Sequence, residues 1–96
     1  MIKATPAQLD SIRGILARHA PGTEARVFGS RVVGESKEYS DLDLALVGPA
    51  KLDPVVMEAL RESFAESDLP FRVDVLDWHA ISPEFRQVIE RKYEVL

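Results

Sequence analysis

Apolar residues return at two different intervals along this chain, and the intervals mark its elements. Leu9, Ile12, Leu16 and Ala20 recur at the spacing of one helical face. Thr5 before Pro6, with Gln8 three residues on, completes a capping box, so a first helix runs from about Thr5 to about His19. Pro21-Gly22 ends it. Residues 24–28, "EARVF", form a short strand closed by Gly29-Ser30, and Ser30 caps a short helix through Val33. "GESKEY" is a polar loop. "DLDLALV", residues 41–47, alternates with period two and is a strand that Gly48-Pro49 stops.

The second half repeats the grammar. Asp53-Pro54 opens a helix with Val56, Met57, Leu60 and Phe64 on its apolar side. Pro70 precedes a third strand, "FRVDVLDW". Ser82-Pro83-Glu84 opens a last helix with Phe85, Val88, Ile89 and Tyr93 on one side, and "ERKYEVL" continues it as a mostly solvated face. The order α-β-α-β-α-β-α predicts a mixed α/β (α+β) fold: a small three-stranded mixed sheet flanked by four helices. With 96 residues and no linker or repeat, residues 1–96 are expected to form a single domain.

Composition narrows the setting. There is no cysteine, which excludes a disulfide framework and a thiolate metal site. No apolar run approaches a membrane span and no signal-peptide pattern is present, so the expectation is a cytoplasmic protein without membrane attachment. The formal net charge of −4 points away from direct nucleic-acid binding; an anionic ligand has to be met locally.

The chemistry concentrates in "VFGSRVVGESKEYSDLDLALVG", residues 27–48. Alternation puts Asp41 and Asp43 on one strand face and Leu42, Leu44 and Leu46 on the other. On the third strand Asp74 shares a face with Arg72 and Leu76, opposite Phe71, Val73 and Val75. Gly29-Ser30 ends one strand and Asp41 starts the next, so they are neighbours if those strands run antiparallel. Asp74 joins them if the second and third strands run parallel with the intervening helix as crossover. The result is one cluster of Gly29, Ser30, Asp41, Asp43 and Asp74. Three carboxylates this close repel one another. A hard divalent cation, Mg²⁺ or Mn²⁺, removes the conflict and suits oxygen ligands plus substrate phosphates. Gly29 permits close approach of the chain to a phosphate, and helix-start N–H groups favour an anion.

Each feature also has a plainer reading. Asp-x-Asp alone fits a solvent-facing strand, Gly-Ser alone a turn, and Asp74 alone an ion pair with Arg72. Arg31 fits either a phosphate contact or solvent, and Ser40 either a loop brace or a turn. Asp77, on the opposite face from Asp74, reads as structural, as do His19, Trp78 and His79.

The combination "FGSRVVGESKEYSDLDLAL" with Asp74 in "FRVDVLD" resembles the DNA polymerase beta-like nucleotidyltransferase superfamily. Within it, "GSR..G.....SDLDL" is similar to the minimal nucleotidyltransferases of bacteria and archaea, over nearly the whole chain. The resemblance implies that Asp41, Asp43 and Asp74 are the catalytic, metal-binding triad, with Asp74 helping to activate an acceptor hydroxyl. It implies that Gly29 and Ser30, with Arg31, hold the phosphates of a nucleoside triphosphate, ATP. It implies Mg-dependent transfer of AMP (NMP) to that hydroxyl with release of pyrophosphate. Minimal members are commonly antitoxins whose partner is a HEPN-domain toxin, and some adenylylate a tyrosine of it. Many carry a second basic residue where this chain has Val32-Val33. A non-catalytic module that neutralises a toxin by occlusion and a transferase acting on a small molecule are the alternatives. Self-association is left open.

Overall fold

A computed structural model describes all 96 residues. The first helix, α1 (Pro6–His19), starts on the expected capping box: Thr5 Oγ1 accepts from Gln8 N and the Gln8 side chain accepts from Thr5 N. β1 (Glu24–Phe28), a single helical turn α2 (Ser30–Val33) and β2 (Leu42–Val47) follow. Then come α3 (Pro54–Ala65), β3 (Val73–Asp77), a 3₁₀ turn at Trp78–Ala80, α4 (Pro83–Arg91) and β4 (Glu94–Val95). Asp53 and Ser82 cap α3 and α4 ahead of their prolines.

The sheet order is β3-β2-β1-β4. β1 and β2 are antiparallel, and β2 and β3 are parallel across the α3 connection, as the clustering argument requires. The sheet has four strands where three are expected. "ERKYEVL" does not continue the last helix: Lys92 is extended, Glu94–Val95 pair antiparallel with β1, and Leu96 N donates to Ala25 O at 2.9 Å. The free edge of β1 supplies unpaired backbone groups there, and satisfying them outweighs extending α4 by one turn. A second departure lies at Ser30. Gly29 takes the N-cap position and no side-chain hydrogen bond caps α2, so Ser30 is the first helical residue.

The two sheet faces are covered unequally. Ile12, Ile15 and Leu16 of α1 and Met57, Leu60 and Phe64 of α3 bury one face against Val27, Leu42, Leu44, Leu46 and Val75. On the other face Ala45, Trp78 and Ile89 form a small second core joined by Phe28, Val47 and Tyr93. Arg26 lies over the rings of Trp78 and Tyr93 at 4.9 and 4.7 Å, which roofs that core with a cation. α4 reaches this face through Phe85, which packs on Phe28, and Ile89, which clusters with Ala45 and Trp78. The start of β2 and β3, where the acidic residues lie, stays partly accessible. No helix is long and apolar enough to cross a membrane.

Asp77, His19, Trp78 and His79 are structural, as expected. Asp77 is buried and its carboxylate accepts from Leu52 N (2.8 Å) and His79 N (3.1 Å), tying the α3 entry loop to the end of β3. His79 Nε2 meets Gly48 O at 2.7 Å, and His19 Nε2 meets Ser63 Oγ at 2.9 Å. Replacing Asp77 by alanine strands two N–H groups and should cost about 2 kcal/mol of stability. Urea denaturation measures it, and an unchanged midpoint would refute the tether.

Candidate active site

The strand register builds the site. Asp43 on β2 is opposite Phe28 on β1 and beside Asp74 on β3. Paired residues on adjacent strands point to the same face, so Phe28, Asp43 and Asp74 form a row across the sheet. It lies on the face away from α1 and α3. Asp41 sits two residues before Asp43, immediately ahead of the strand, and is half exposed.

Gly29 follows Phe28 and is pressed against Asp43. A Cβ at position 29 would lie 2.4 Å from Asp43 Oδ2, and the residue has φ +81°. Two independent requirements thus converge on glycine: room for the carboxylate and a left-handed backbone. Val32 N and Val33 N donate to Gly29 O at 3.0 and 3.1 Å, closing the α2 turn directly beside the acidic row.

The carboxylates are in electrostatic conflict. Burial pushes the Asp43 carboxyl up to about 6, reinforced by Asp74 and then Asp41, while Arg72 pulls it down. Arg72 reaches Asp41 rather than Asp74: its Nη2 is 3.3 Å from Asp41 Oδ2. No three acidic or imidazole groups already stand in a ready-made metal cage. The donor set nevertheless suits a hard divalent ion: carboxylate oxygens only, gathered at one sheet end, one of them forced toward protonation without a cation beside it.

Arg31 does not fit the expected phosphate contact. It is only 4% exposed. Its guanidinium donates to Ser40 O (2.9 Å), Glu38 O (2.8 Å) and Lys3 O (2.6 Å), and it lies 3.9 Å over the Phe71 ring. A buried cation has to spend its donors on fixed acceptors, and the polar loop supplies them as carbonyls. Arg31 is therefore the clamp of the loop that delivers Asp41. Ser40 braces the same loop, its Oγ accepting from Lys37 N at 2.8 Å.

Two aromatic residues border the site without having been anticipated there. Phe28 packs edge-on against Phe85 of α4, with ring centres 5.9 Å apart. Phe28 could have been found from sequence, since period two places it on the Asp43 face once the strands are paired. Phe85 depends on where α4 docks, which no local pattern encodes. Val32 is core and Val33 is half exposed, so at position 32 a basic side chain would have to be buried.

In metal-free buffer Asp43 holds its proton more tightly folded than unfolded. Its ionisation therefore lowers stability as pH rises from 3.8 to about 6, and the loss is complete above that. Asp43→Asn removes the penalty. After allowing for solvent screening it should gain about 1 kcal/mol at pH 7.5, with the gain vanishing below pH 4. Denaturation curves at both pH values test this, and a pH-independent difference would contradict it. Arg31→Met should destabilise by about 2 kcal/mol or more, because three carbonyls lose their donor.

Known proteins give the arrangement a context. The family model described as nucleotidyltransferase domain matches residues 9–96. Over 89 residues the chain is 45% identical to the probable protein adenylyltransferase MntA of Haemophilus influenzae, covering 93% of this chain and 78% of that protein. A crystal structure of a toxin–antitoxin with AMP-PNP superposes with TM-score 0.76 at 25% identity, over 90% of this chain and 69% of that one. The tri-AMPylated Shewanella oneidensis HEPN toxin in complex with MNT antitoxin gives TM-score 0.68 at 26% identity, over 92% and 69%. Spectinomycin adenyltransferase of Enterococcus faecialis shares the fold, with TM-score 0.59 at 19% identity over 96% of this chain and 48% of that one. The pairing of strands, the acidic row and the family match over residues 9–96 agree, and the chain belongs to the nucleotidyltransferase domain family.

Proposed function

We propose that residues 1–96 act as one cytoplasmic nucleotidyltransferase domain that moves AMP from ATP to a tyrosine hydroxyl of a HEPN-domain partner and so neutralises that partner as a toxin. The row of Gly29, Asp43 and Asp74, with Asp41 at its entrance, is the observation that carries this reading. The 45% identity to a probable protein adenylyltransferase and the likeness to an antitoxin bound to an AMPylated HEPN toxin supply the acceptor class.

Each residue then has a task. Gly29 and Ser30 present the start of α2 to the β- and γ-phosphates, since no side chain projects from Gly29 and the first N–H groups of a helical turn lack intrahelical partners. Asp41 and Asp43 would hold Mg²⁺ or Mn²⁺, with Asp74 completing the set. When bound, the ion neutralises the phosphates and the leaving pyrophosphate. Asp74, across from Asp43 on the far strand, orients the acceptor hydroxyl and takes its proton as that oxygen attacks the α-phosphorus. The new P–O bond forms as the bond to the β-phosphate breaks, and pyrophosphate leaves. Arg72 positions Asp41 through their ion pair. Arg31 keeps the Asp41 loop in place from below.

Incubation with labelled ATP, Mg²⁺ and the HEPN partner should label the partner. Asp43→Asn and Asp74→Asn should each slow transfer by about 100-fold or more, and chelation of the divalent ion should abolish it. A wild-type chain that binds the partner tightly and neutralises it without labelling it would refute the enzyme reading in favour of occlusion.

A further inference from the structure

Among the aromatic side chains Tyr39 stands furthest into water, 71% exposed. The chain's other tyrosine, Tyr93, is half-buried in the second core with Arg26 4.7 Å over its ring. The exposure of Tyr39 does not come from a loose loop. Ser40 N donates to Lys37 O at 3.1 Å and Ser40 Oγ accepts from Lys37 N at 2.8 Å, which closes a tight turn with Glu38 and Tyr39 at its tip. Arg31 donates to the carbonyls on both sides of Tyr39, those of Glu38 and Ser40. Lys3 Nζ donates to Ser36 O at 3.0 Å. The backbone is therefore fixed at residues 36, 38 and 40, while the Tyr39 ring joins neither hydrophobic cluster. Turn tips favour Asn, Asp, Gly and Ser, and a phenol there leaves its apolar ring in water without a packing gain.

The turn leads straight into the acidic row. Asp41 follows after one residue, paired with Arg72, and Leu42 N donates to Arg72 O at 2.9 Å as β2 begins. A phenolic hydroxyl is the acceptor class of the reaction above. The chain thus presents, on a rigid backbone at the rim of its own site, the group that the reaction modifies. The site that meets it is not its own. To reach Asp74 of the same chain the turn would have to lift across Asp41, and Arg31 holds it on both sides. A side chain projecting from a fixed turn into solvent is instead free to enter the open site of a second copy.

Resting on the transferase reading, we propose that Tyr39 is itself an acceptor, adenylylated by a second copy of this chain. Tyr39 Oη of one copy attacks the α-phosphorus of ATP held by the other. The phenolic proton passes to Asp74 of that second copy, a new P–O bond forms, the bond to the β-phosphate breaks and pyrophosphate leaves.

The test needs no partner protein at first. Wild type is incubated with labelled ATP and Mg²⁺, and mass spectrometry of the intact chain and of its peptides locates any added AMP. The label should appear on Tyr39. Tyr39→Phe should lose self-labelling and still label the HEPN partner at the wild-type rate, since Tyr39 holds neither phosphate nor carboxylate. Tagged Asp74→Asn, unable to transfer, is then mixed with Tyr39→Phe, which lacks the acceptor. AMP should appear on Tyr39 of the Asp74→Asn copy, at a rate that rises with the concentration of Tyr39→Phe. Self-labelling that persists in Tyr39→Phe, or maps to another residue, overturns the proposal. So does a mixture in which the Asp74→Asn copy stays unlabelled while wild type labels itself. A wild type that labels the HEPN partner but never itself overturns the proposal and leaves the transferase reading standing. A wild type that labels neither refutes that reading, and the proposal with it.

Discussion

Repulsion among carboxylates is the constraint around which this small fold is arranged. Asp43 and Asp74 are adjacent because β2 and β3 run parallel in register, and Asp41 enters from the loop ahead of them. Nothing in the packing of a 96-residue chain asks for this, and the Asp43 carboxyl is pushed up to about 6, first by its burial and then by Asp74 and Asp41. The rest of the structure works to tolerate it. The leucine face of β2 is buried at 0% exposure and anchors the strand. The opposite face is covered by α4 where Ile89 meets Ala45 and Phe85 meets Phe28, and Asp41 at the acidic end stays exposed to water and to counter-ions. A cation bound beside these carboxylates would offset the cost of their repulsion, which accords with the function proposed for the row.

Much of this was legible because the signals were local. Thr5-Pro6, Asp53-Pro54 and Ser82-Pro83 each pair a cap with a proline, and each starts a helix. Period two in "DLDLALV" separates the core leucines from the aspartates of the other face, and the same rule puts Asp77 on the core side of its strand and Asp74 on the face of Asp43. The antiparallel and parallel pairings followed from asking how the aspartates and Gly29 could meet. What failed locally was decided by distant partners. "ERKYEVL" has the spacing of a helix, yet the open edge of β1 drew Glu94–Val95 into the sheet. β-Strand gain from a neighbour's unpaired backbone is invisible to any window along the chain.

Arg31 shows the same limit in a side chain. Beside Gly29-Ser30 it reads as a phosphate ligand, but its acceptors are the carbonyls of residues 3, 38 and 40, and its ring partner is Phe71. None of these is within one helical turn of it. The residue that does face the acidic site with a positive charge is Arg72, for which pairing with Asp74 is the plainer alternative in sequence and which the fold sets against Asp41. The missing basic residue at Val32-Val33 has a matching explanation: position 32 belongs to the core, so the short helix spends that side chain on packing.

The contact between Gly29 and Asp43 also bears on descent. While the aspartate is kept, no side chain fits opposite it, because a Cβ would stand 2.4 Å from its oxygen. A lineage in which this position drifted from aspartate to a smaller residue would be released from the steric half of that demand and would keep only the conformational half. The two positions therefore form a paired record: a glycine replaced beside a lost aspartate marks a copy released from the contact, whereas a replacement beside an intact one marks a copy whose backbone has had to be rebuilt.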